Sequence, residues 1–597
     1  MNGSVTHGPM PFPASCAGAP LVVFATMLID VVNSRFEAEY QRRRKEDEAR
    51  AVDEEYDFIV VGGGTSGCIL ASRLSESTSA TVLLLERGGT EPEEARVPAL
   101  QPYVWRSNSV EYPKSVSEQQ NCNGTGCTMT VPFVLGGGST LNGMMYVRGS
   151  AVDYDSWADA VDDSSWNFTN VLYYFKRAER NLDLPIAWDT EYHSSSGPQR
   201  VSWQQYRHPV MHRLAKAMLH EGVPFRLDVN SRDQLGFTVV QTTTDGGERY
   251  STYRSYLEPA RRRSNLQVRT YATATKIQIE RGLATGVHYR GADGKDHFAR
   301  ARKEVVLTAG SLYTPHLLML SGIGPSKHLQ EANIPIVADL PVGETLQDQA
   351  RATGAEYTCR PPLCMVDWRS SQRDLDVYER TRRGPLAANG VAALTAFFHS
   401  GKGSQVGPPK QPDVQLLFFG SARGTGERCM DGSWRLNCVS VVAVALHPSS
   451  RGSVRLNTSA PTSAPVVRLG YYEKASDVDV VMEGVRRARR LAAPLRSLGL
   501  ELMPNDCGGF PHDSDEYARC LVRTTSGATY HWVGSCPMGP GDKAVVDTRL
   551  RVHGLRHLRV ADASVMPSLP SGNTMAAVIM VAEYAADLIK KEHVISH

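Results

Sequence analysis

A strand, a glycine-spaced turn, a helix and a second strand ending in a carboxylate follow one another without a break between Tyr56 and Gly89. Tyr56-Asp57-Phe58-Ile59-Val60-Val61 is an apolar run suited to a buried parallel strand. Gly62, Gly64 and Gly67 take the G-x-G-x-x-G spacing, with Thr65 and Ser66 between them, and Cys68 to Leu74 predicts a helix. Thr81 to Leu85 predicts the second strand, and Glu86 stands at its end. Each part has a physical task. Gly62 permits the tight turn, Gly64 lets the backbone approach a pyrophosphate, and Gly67 lets the helix pack on the strand, its N-terminus facing the phosphates. Glu86 lies about 20 residues past the last glycine, where a carboxylate holds an adenosine ribose hydroxyl. A glycine triplet alone is common in turns. In this order it implies a dinucleotide-binding unit, with Gly62, Gly64, Thr65, Ser66, Gly67 and Glu86 at the ligand.

The rest of the chain narrows the class. At 597 residues it is too long for one simple domain and suits two interleaved ones. A formal net charge of +2 leaves no electrostatic footprint for nucleic acid, and Arg261-Arg262-Arg263 reads as a solvated face. A mean hydropathy of -0.30 argues against a multi-span membrane protein. Ala19 to Val32 is apolar but too short to span a bilayer stably; it resembles a signal-peptide core, although Asp30 interrupts it. Arg35 to Glu55 reads as a charged linker. Eight cysteines fall in close pairs, Cys122 with Cys127, Cys359 with Cys364, Cys429 with Cys438 and Cys507 with Cys520. Proximity alone suggests four short-range disulfides, and no pair has the spacing of a zinc site, so no metal is expected. With sequons at Asn123, Asn167 and Asn457, the pairs favour a secreted, extracellular protein.

Farther on, Leu135 to Asn142 is a second glycine-rich turn, Asn167 to Leu182 predicts a helix, Glu304 to Gly310 a buried strand and Thr314 to Ser321 a helix. Val441 to Leu446 reads as a strand, and Val478 to Leu491 and Asn573 to Ile589 as helices. Several stretches carry a resemblance. Glu86-Arg87-Gly88-Gly89, Gly310 to Gly324, Leu135 to Gly149 and Val342 to Gln349 are similar to motifs of the glucose–methanol–choline (GMC) oxidoreductases. There are departures: Arg87 replaces an alanine and is expected to point to solvent, Gly138 replaces a serine, and Thr345 and Gln349 replace Asn and His. Thr130-Val131-Pro132-Phe133 also stands where Pro-Arg-Gly-Lys is usual. Pro315 is expected at a helix start, where its missing N–H costs nothing.

The resemblance implies an α/β fold, a Rossmann-like FAD-binding domain with an interleaved α+β substrate-binding domain of antiparallel sheet plus helices. It implies residues 1–54 as leader and linker and 55–349 as FAD-binding region, with substrate-domain insertions around 165–250. Residues 350–530 are then mainly substrate-binding, and 531–597 return to the FAD domain. Tyr530 to Gly539 and Val560 to Thr574 match the motifs that carry the family's chemistry. By that match His531 abstracts the hydroxyl proton of an alcohol, Asn573 binds the same oxygen, and a hydride passes to the flavin N5. Histidine suits such a base without a large pKa shift. Asn142, Ala274, Asp562, Ala563, Asn573 and Thr574 join the cofactor-binding set. Leu141 occupies the position before Asn142 where some choline-oxidising relatives carry the histidine that attaches FAD, so the FAD is expected to be non-covalent. Cys68 and Cys536 read as core thiols beside the flavin.

The pattern Pro570-Ser571-Gly572-Asn573-Thr574 leans toward the family's animal branch, which includes glucose dehydrogenase with a quinone-type acceptor. The leading expectation is a secreted oxidoreductase taking a small alcohol or sugar as CH–OH donor and a quinone as acceptor. The alternatives are an oxidase using oxygen and releasing peroxide, a hydroxynitrile-type lyase on the same scaffold, and a non-catalytic flavin-binding protein. Retention of both His531 and Asn573 argues against the last.

Overall fold

The structure, a computed structural model, describes residues 55–104, 110–111, 129–359, 372–389, 393–402, 411–420, 438–504 and 507–594. The glycine-spaced unit forms as its sequence implies: strand β1 (Glu55–Val61), helix α1 (Thr65–Leu74) and strand β2 (Val82–Leu85). The same sheet takes in β3 (Leu266–Arg269), β4 (Thr273–Glu280), β5 (Leu283–Arg290) and β6 (Asp296–Leu307). Helix α2 (Gly310–Leu320) leaves the end of β6, and β7 (Leu558–Val560) and helix α3 (Met575–Glu592) return to it from the C-terminal end of the chain. Strands β3, β2, β1, β6 and β7 run parallel in that order, with the antiparallel β5 and β4 beside β6. Phe58, Ile59 and Val60 and Leu83 and Leu84 are fully buried, as strands covered on both faces require.

A second sheet is antiparallel throughout, in the order 500–502, 351–359, 438–445, 414–420, 394–398, 236–239. The helix Ala475–Arg490 lies against it at close range: a Cβ on Gly484 would come within 2.7 Å of the Ala443 Cβ. Each sheet centres its own hydrophobic core. The fold is therefore the expected α/β sheet with an α+β partner built on an antiparallel sheet.

Local expectations shift in physically legible ways. The predicted strand 304–310 is only the end of β6; Val305, Val306 and Leu307 are buried on both sides, whereas the polar start of β6 pairs with β5 in a hairpin. The predicted helix 167–182 stops at Ala178 and passes into a short strand, Glu179–Asn181. Pro315 is not at a helix start but inside α2. Its ring nitrogen cannot donate to the Ser311 carbonyl one turn back. That carbonyl is met instead by the Ser535 hydroxyl, which donates to it at 2.6 Å. Arg87 does not simply point to solvent; its guanidinium stacks over the Phe133 ring at 4.1 Å and also faces Tyr313.

Cys507 and Cys520 form a disulfide with Cα atoms 6.0 Å apart, and Cys68 and Cys536 are free and buried. The other three expected pairs involve residues outside the described ones, as do the leader and Asn123. Among the described residues no helix is long and apolar enough to cross a membrane. Ser535 is fully buried, so Ser535→Ala leaves the Ser311 carbonyl unpaired. It should destabilise the fold by about 1–3 kcal/mol, read as a lower midpoint in chemical or thermal unfolding.

Candidate active site

Two glycine-rich turns, far apart in sequence, meet at the C-terminal ends of β1 and β2. Gly136 N–H donates to Gly63 O at 2.8 Å, and a Cβ on Gly137 would lie 2.7 Å from the Gly64 Cα. Gly62 takes φ +104°, and a Cβ there would meet the Thr308 carbonyl oxygen at 2.7 Å. A Cβ on Gly67 would collide with Gly62 O at 1.8 Å, so α1 can pack on β1 only with glycine there. Beside Gly64, by contrast, the nearest atoms to such a Cβ are 3.9 Å away, leaving backbone open to a phosphate. No acidic residue occupies the first turn of α1, which keeps its N-terminus favourable to an anion.

Glu86 accepts the N–H of Gly63 and of Gly88, each at 2.7 Å, one on each carboxylate oxygen. Burial raises its pKa against those two bonds. Each oxygen keeps a lone pair for a ribose hydroxyl. Ala274 lies in β4, just past Ala272, whose N–H donates to the Glu86 carbonyl at 2.8 Å. The Ser66 hydroxyl and the Trp532 indole N–H are buried without a hydrogen-bond partner among the described residues. Unpaired buried donors beside a backbone cradle and a poised carboxylate fit a dinucleotide at this site.

Asp562 stands at the end of β7. Its carboxylate accepts from Gly310 N–H at 2.8 Å, the Thr314 hydroxyl at 2.6 Å and Ser564 N–H at 2.8 Å. It is thus committed to protein donors and shapes the Ala563–Val565 turn. Asn142 is held from three sides: its Oδ1 accepts from Met144 N–H at 3.0 Å and Arg249 Nη1 at 2.9 Å, and its Nδ2 lies 2.9 Å from Met575 Sδ at the start of α3. Thr574 is the N-cap residue of α3. Thr65 Oγ1 reaches the Gly136 carbonyl at 3.4 Å, a further tie between the two glycine turns.

The structure brings His531 and Asn573 together. His531 Nε2 and Asn573 Nδ2 are 3.3 Å apart, and His531 Nδ1 is 2.7 Å from Gln349 Oε1. Backbone pairing produces this meeting. Gln347 and Val533 exchange hydrogen bonds, an antiparallel register that sets Gln349 opposite His531 on the same face. Arg351 and Gly527 also exchange bonds, two residues out of that register. The slip is taken up around Tyr530, which adopts a left-handed φ of 63° immediately before His531. Asp348 then accepts the His531 backbone N–H at 2.8 Å, as well as the Thr529 and Tyr471 hydroxyls. On the other side, Ser571 N–H and Oγ–H donate to Asp153 at 2.6 and 2.7 Å, fixing the turn that delivers Asn573.

Electrostatics here depart from the expectation of an unshifted histidine. Burial pulls the His531 pKa down to about 4, because a deeply set ring loses the hydration that favours imidazolium. Part of the residue stays accessible to solvent. Burial also pushes Asp348 up to about 6, against the four donors it accepts.

Several residues here gave little or no sequence signal. Asp348 and Gln349 lie in the Val342–Gln349 stretch, whose resemblance to a family motif gave neither residue a role. Arg249 is fully buried, its pKa drawn down to about 10 by burial, and its guanidinium meets the carbonyls of Ala95 and Ser139 as well as Asn142. Gln415 is buried in the antiparallel sheet and donates to Thr395 Oγ1 at 3.1 Å, with Asn573 Oδ1 at 3.5 Å. The contacts of these residues with His531, Asn573 and Asn142 span more than 100 residues, which no local pattern reports.

The chain is similar to known proteins over most of its length. A family model described as GMC oxidoreductase matches residues 56–351, and its C-terminal counterpart matches 448–582. Glucose dehydrogenase (FAD, quinone) of Drosophila melanogaster is 35% identical over 598 residues, covering 97% of this chain and 94% of that protein. An oxygen-dependent choline dehydrogenase of Chromohalobacter salexigens is 33% identical over 556 residues, covering 90% and 95%. Among solved structures, an Aspergillus oryzae formate oxidase variant superposes with a TM-score of 0.82 at 25% identity, over 91% of this chain and 100% of that one. A backbone cradle for a dinucleotide, a C-terminal histidine–asparagine pair and family matches over most of its length lead to one conclusion: the chain belongs to the GMC oxidoreductase family.

Proposed function

We propose that this protein is an FAD-dependent oxidoreductase that oxidises a CH–OH group of an alcohol or sugar and passes the electrons to a quinone-type acceptor. The observation that carries the reading is the convergence of His531 Nε2 and Asn573 Nδ2, 3.3 Å apart. A substrate hydroxyl facing both, in place of their mutual contact, gives its proton to the imidazole nitrogen and receives a hydrogen bond from the amide. When bound, FAD supplies the hydride acceptor. His531 takes the proton, Asn573 steadies the negative charge that grows on oxygen, and the Gly62–Gly67 turn with Glu86 holds the adenine dinucleotide.

FAD and quinone both appear in the name of the Drosophila melanogaster relative, matched across nearly the whole chain, which supports the quinone assignment. Oxygen is the second reading, favoured by the oxygen-dependent choline dehydrogenase at 33% identity. Anaerobic reduction by an alcohol panel, followed by reoxidation with either a quinone or oxygen, separates the two. The Cys507–Cys520 disulfide supports an oxidising, extracellular setting.

The FAD is non-covalent in this reading. Leu141 packs into an apolar cluster with Ala95 and Val104 and offers no nucleophile. Denaturation by acid or heat should release all the yellow chromophore into the supernatant; flavin retained in the precipitate would contradict this.

His531→Ala should slow flavin reduction by about 10²–10⁴-fold while leaving FAD bound, since a base acts in the transition state. Asn573→Ala should cost about 10²–10³-fold at most, the range for one oxyanion donor. Stopped-flow bleaching measures both, and an H531A enzyme reduced at the wild-type rate would remove His531 from the mechanism.

The pH dependence has a definite sign. The neutral imidazole is the competent form, and its pKa is depressed to about 4. The reduction rate should therefore persist well below pH 6 and fall only as pH drops through about 4. An acid limb at the ordinary histidine value of about 6.5 would show that the ring is not desolvated in the working enzyme.

A further inference from the structure

We infer that Gln349 is a positioning residue that locks His531 in the Nδ1–H tautomer, and so decides that Nε2 is the nitrogen that takes the substrate proton. The inference rests on the reading of His531 as base and adds to it which atom acts and what selects it. The argument is one of donors and acceptors. Gln349 is fully buried, and its amide nitrogen donates to two backbone carbonyls, Leu446 O at 3.2 Å and Pro570 O at 3.0 Å. A carbonyl oxygen has no proton to give, so the amide nitrogen must face that side. Flipping the amide would set Oε1 against two carbonyl oxygens, acceptor against acceptor. Oε1 is thereby turned toward His531 Nδ1, 2.7 Å away. At that distance an acceptor demands a proton on Nδ1, and a neutral ring then carries its lone pair on Nε2.

The opposite side of the ring agrees independently. Asn573 Nδ2 lies 3.3 Å from His531 Nε2, and an amide N–H facing a ring nitrogen requires a lone pair there. The other tautomer would place lone pair against lone pair at Gln349 and N–H against N–H at Asn573. A buried amide and a half-buried one, from different parts of the chain, thus favour the same form. The remaining groups around the ring do not oppose it: Asp348 meets the His531 backbone N–H rather than the imidazole. In the reaction the substrate O–H bond breaks, its proton forms a bond to Nε2, and the Nδ1 proton stays on the Gln349 side, where Oε1 stabilises the resulting imidazolium. When bound, FAD would supply the acceptor for the carbon-bound hydrogen and its electron pair.

The test uses ¹⁵N-histidine-labelled, FAD-loaded protein, with the His531 signals assigned by their absence from the H531A spectrum. The wild type should show a protonated Nδ1 and a lone-pair Nε2 at neutral pH; a protonated Nε2 would overturn the proposal without any variant. Gln349→Met removes acceptor and donor at similar volume. It should give a mixed or inverted tautomer and slower flavin reduction, between tenfold and about 10⁴-fold, the upper end being the cost of a wrong tautomer in a catalytic triad. Substrate affinity should change little. Gln349→His can accept with one nitrogen and donate with the other, so it should restore most of both signals, which a merely structural role would not require. A folded Q349M protein that keeps the wild-type tautomer would overturn the proposal. If H531A reduces normally while wild-type His531 is Nδ1-protonated, the role of His531 as base fails and only the tautomer assignment stands.

Discussion

The Asp562 carboxylate is the contact on which the active region depends. It ties the start of α2, at Gly310 and Thr314, to the turn after β7, at Ser564. A buried carboxylate is costly unless its oxygens are met, and burial alone drives its pKa upward. Three short hydrogen bonds offset that cost and fix the geometry of two segments some 250 residues apart. The Ser535–Ser311 bond adds a second tie, filling the gap that Pro315 opens in α2. Together they make the middle of the chain and its C-terminal return one block, and His531 is carried on that block. The chemistry inherits its precision from these buried polar contacts.

Burial sets the character of the proposed base, His531. A ring at about 4 is always neutral under ordinary conditions, so it never has to lose a proton before it can take one. The same burial makes it weak toward a neutral alcohol. Negative charge growing on the substrate oxygen favours imidazolium, so basicity rises as the reaction proceeds. Gln349 Oε1 acts in the same direction from the far side of the ring. The site thus stores little charge at rest and gains favourable interactions as charge develops, the condition under which fixed dipoles assist most.

Legibility from the sequence followed the range of the interactions. The Tyr56–Glu86 unit was readable in full because strand, glycine turn, helix and carboxylate are contiguous, and each leaves a local pattern of period or spacing. His531 and Asn573 were readable from motif resemblance, although nothing local said they would touch. Pro315 was misplaced because its tolerance inside a helix depends on a serine 220 positions away, whose hydroxyl takes the place of the missing N–H. The His531 pKa was misjudged for a related reason: desolvation belongs to the packed surroundings, not to the residue. Arg87 has the same lesson at the surface, since the aromatic rings that hold it come from Phe133 and Tyr313.

The sequence by itself determined that this chain builds a parallel sheet with a glycine-spaced turn at its end, and which histidine and asparagine lie in the stretches that resemble the family's motifs. Strand periodicity, glycine spacing and helix composition are properties of neighbouring residues and are written there. Only the tertiary structure decided that the two glycine turns abut, that Asp562 joins α2 to the C-terminal turn, and that Gln349 stands opposite His531. Those outcomes depend on strand register and on which buried donors find which acceptors. Hydrogen bonding and desolvation act through distances of about 3 Å in space, and the residues concerned lie up to hundreds of positions apart in the chain.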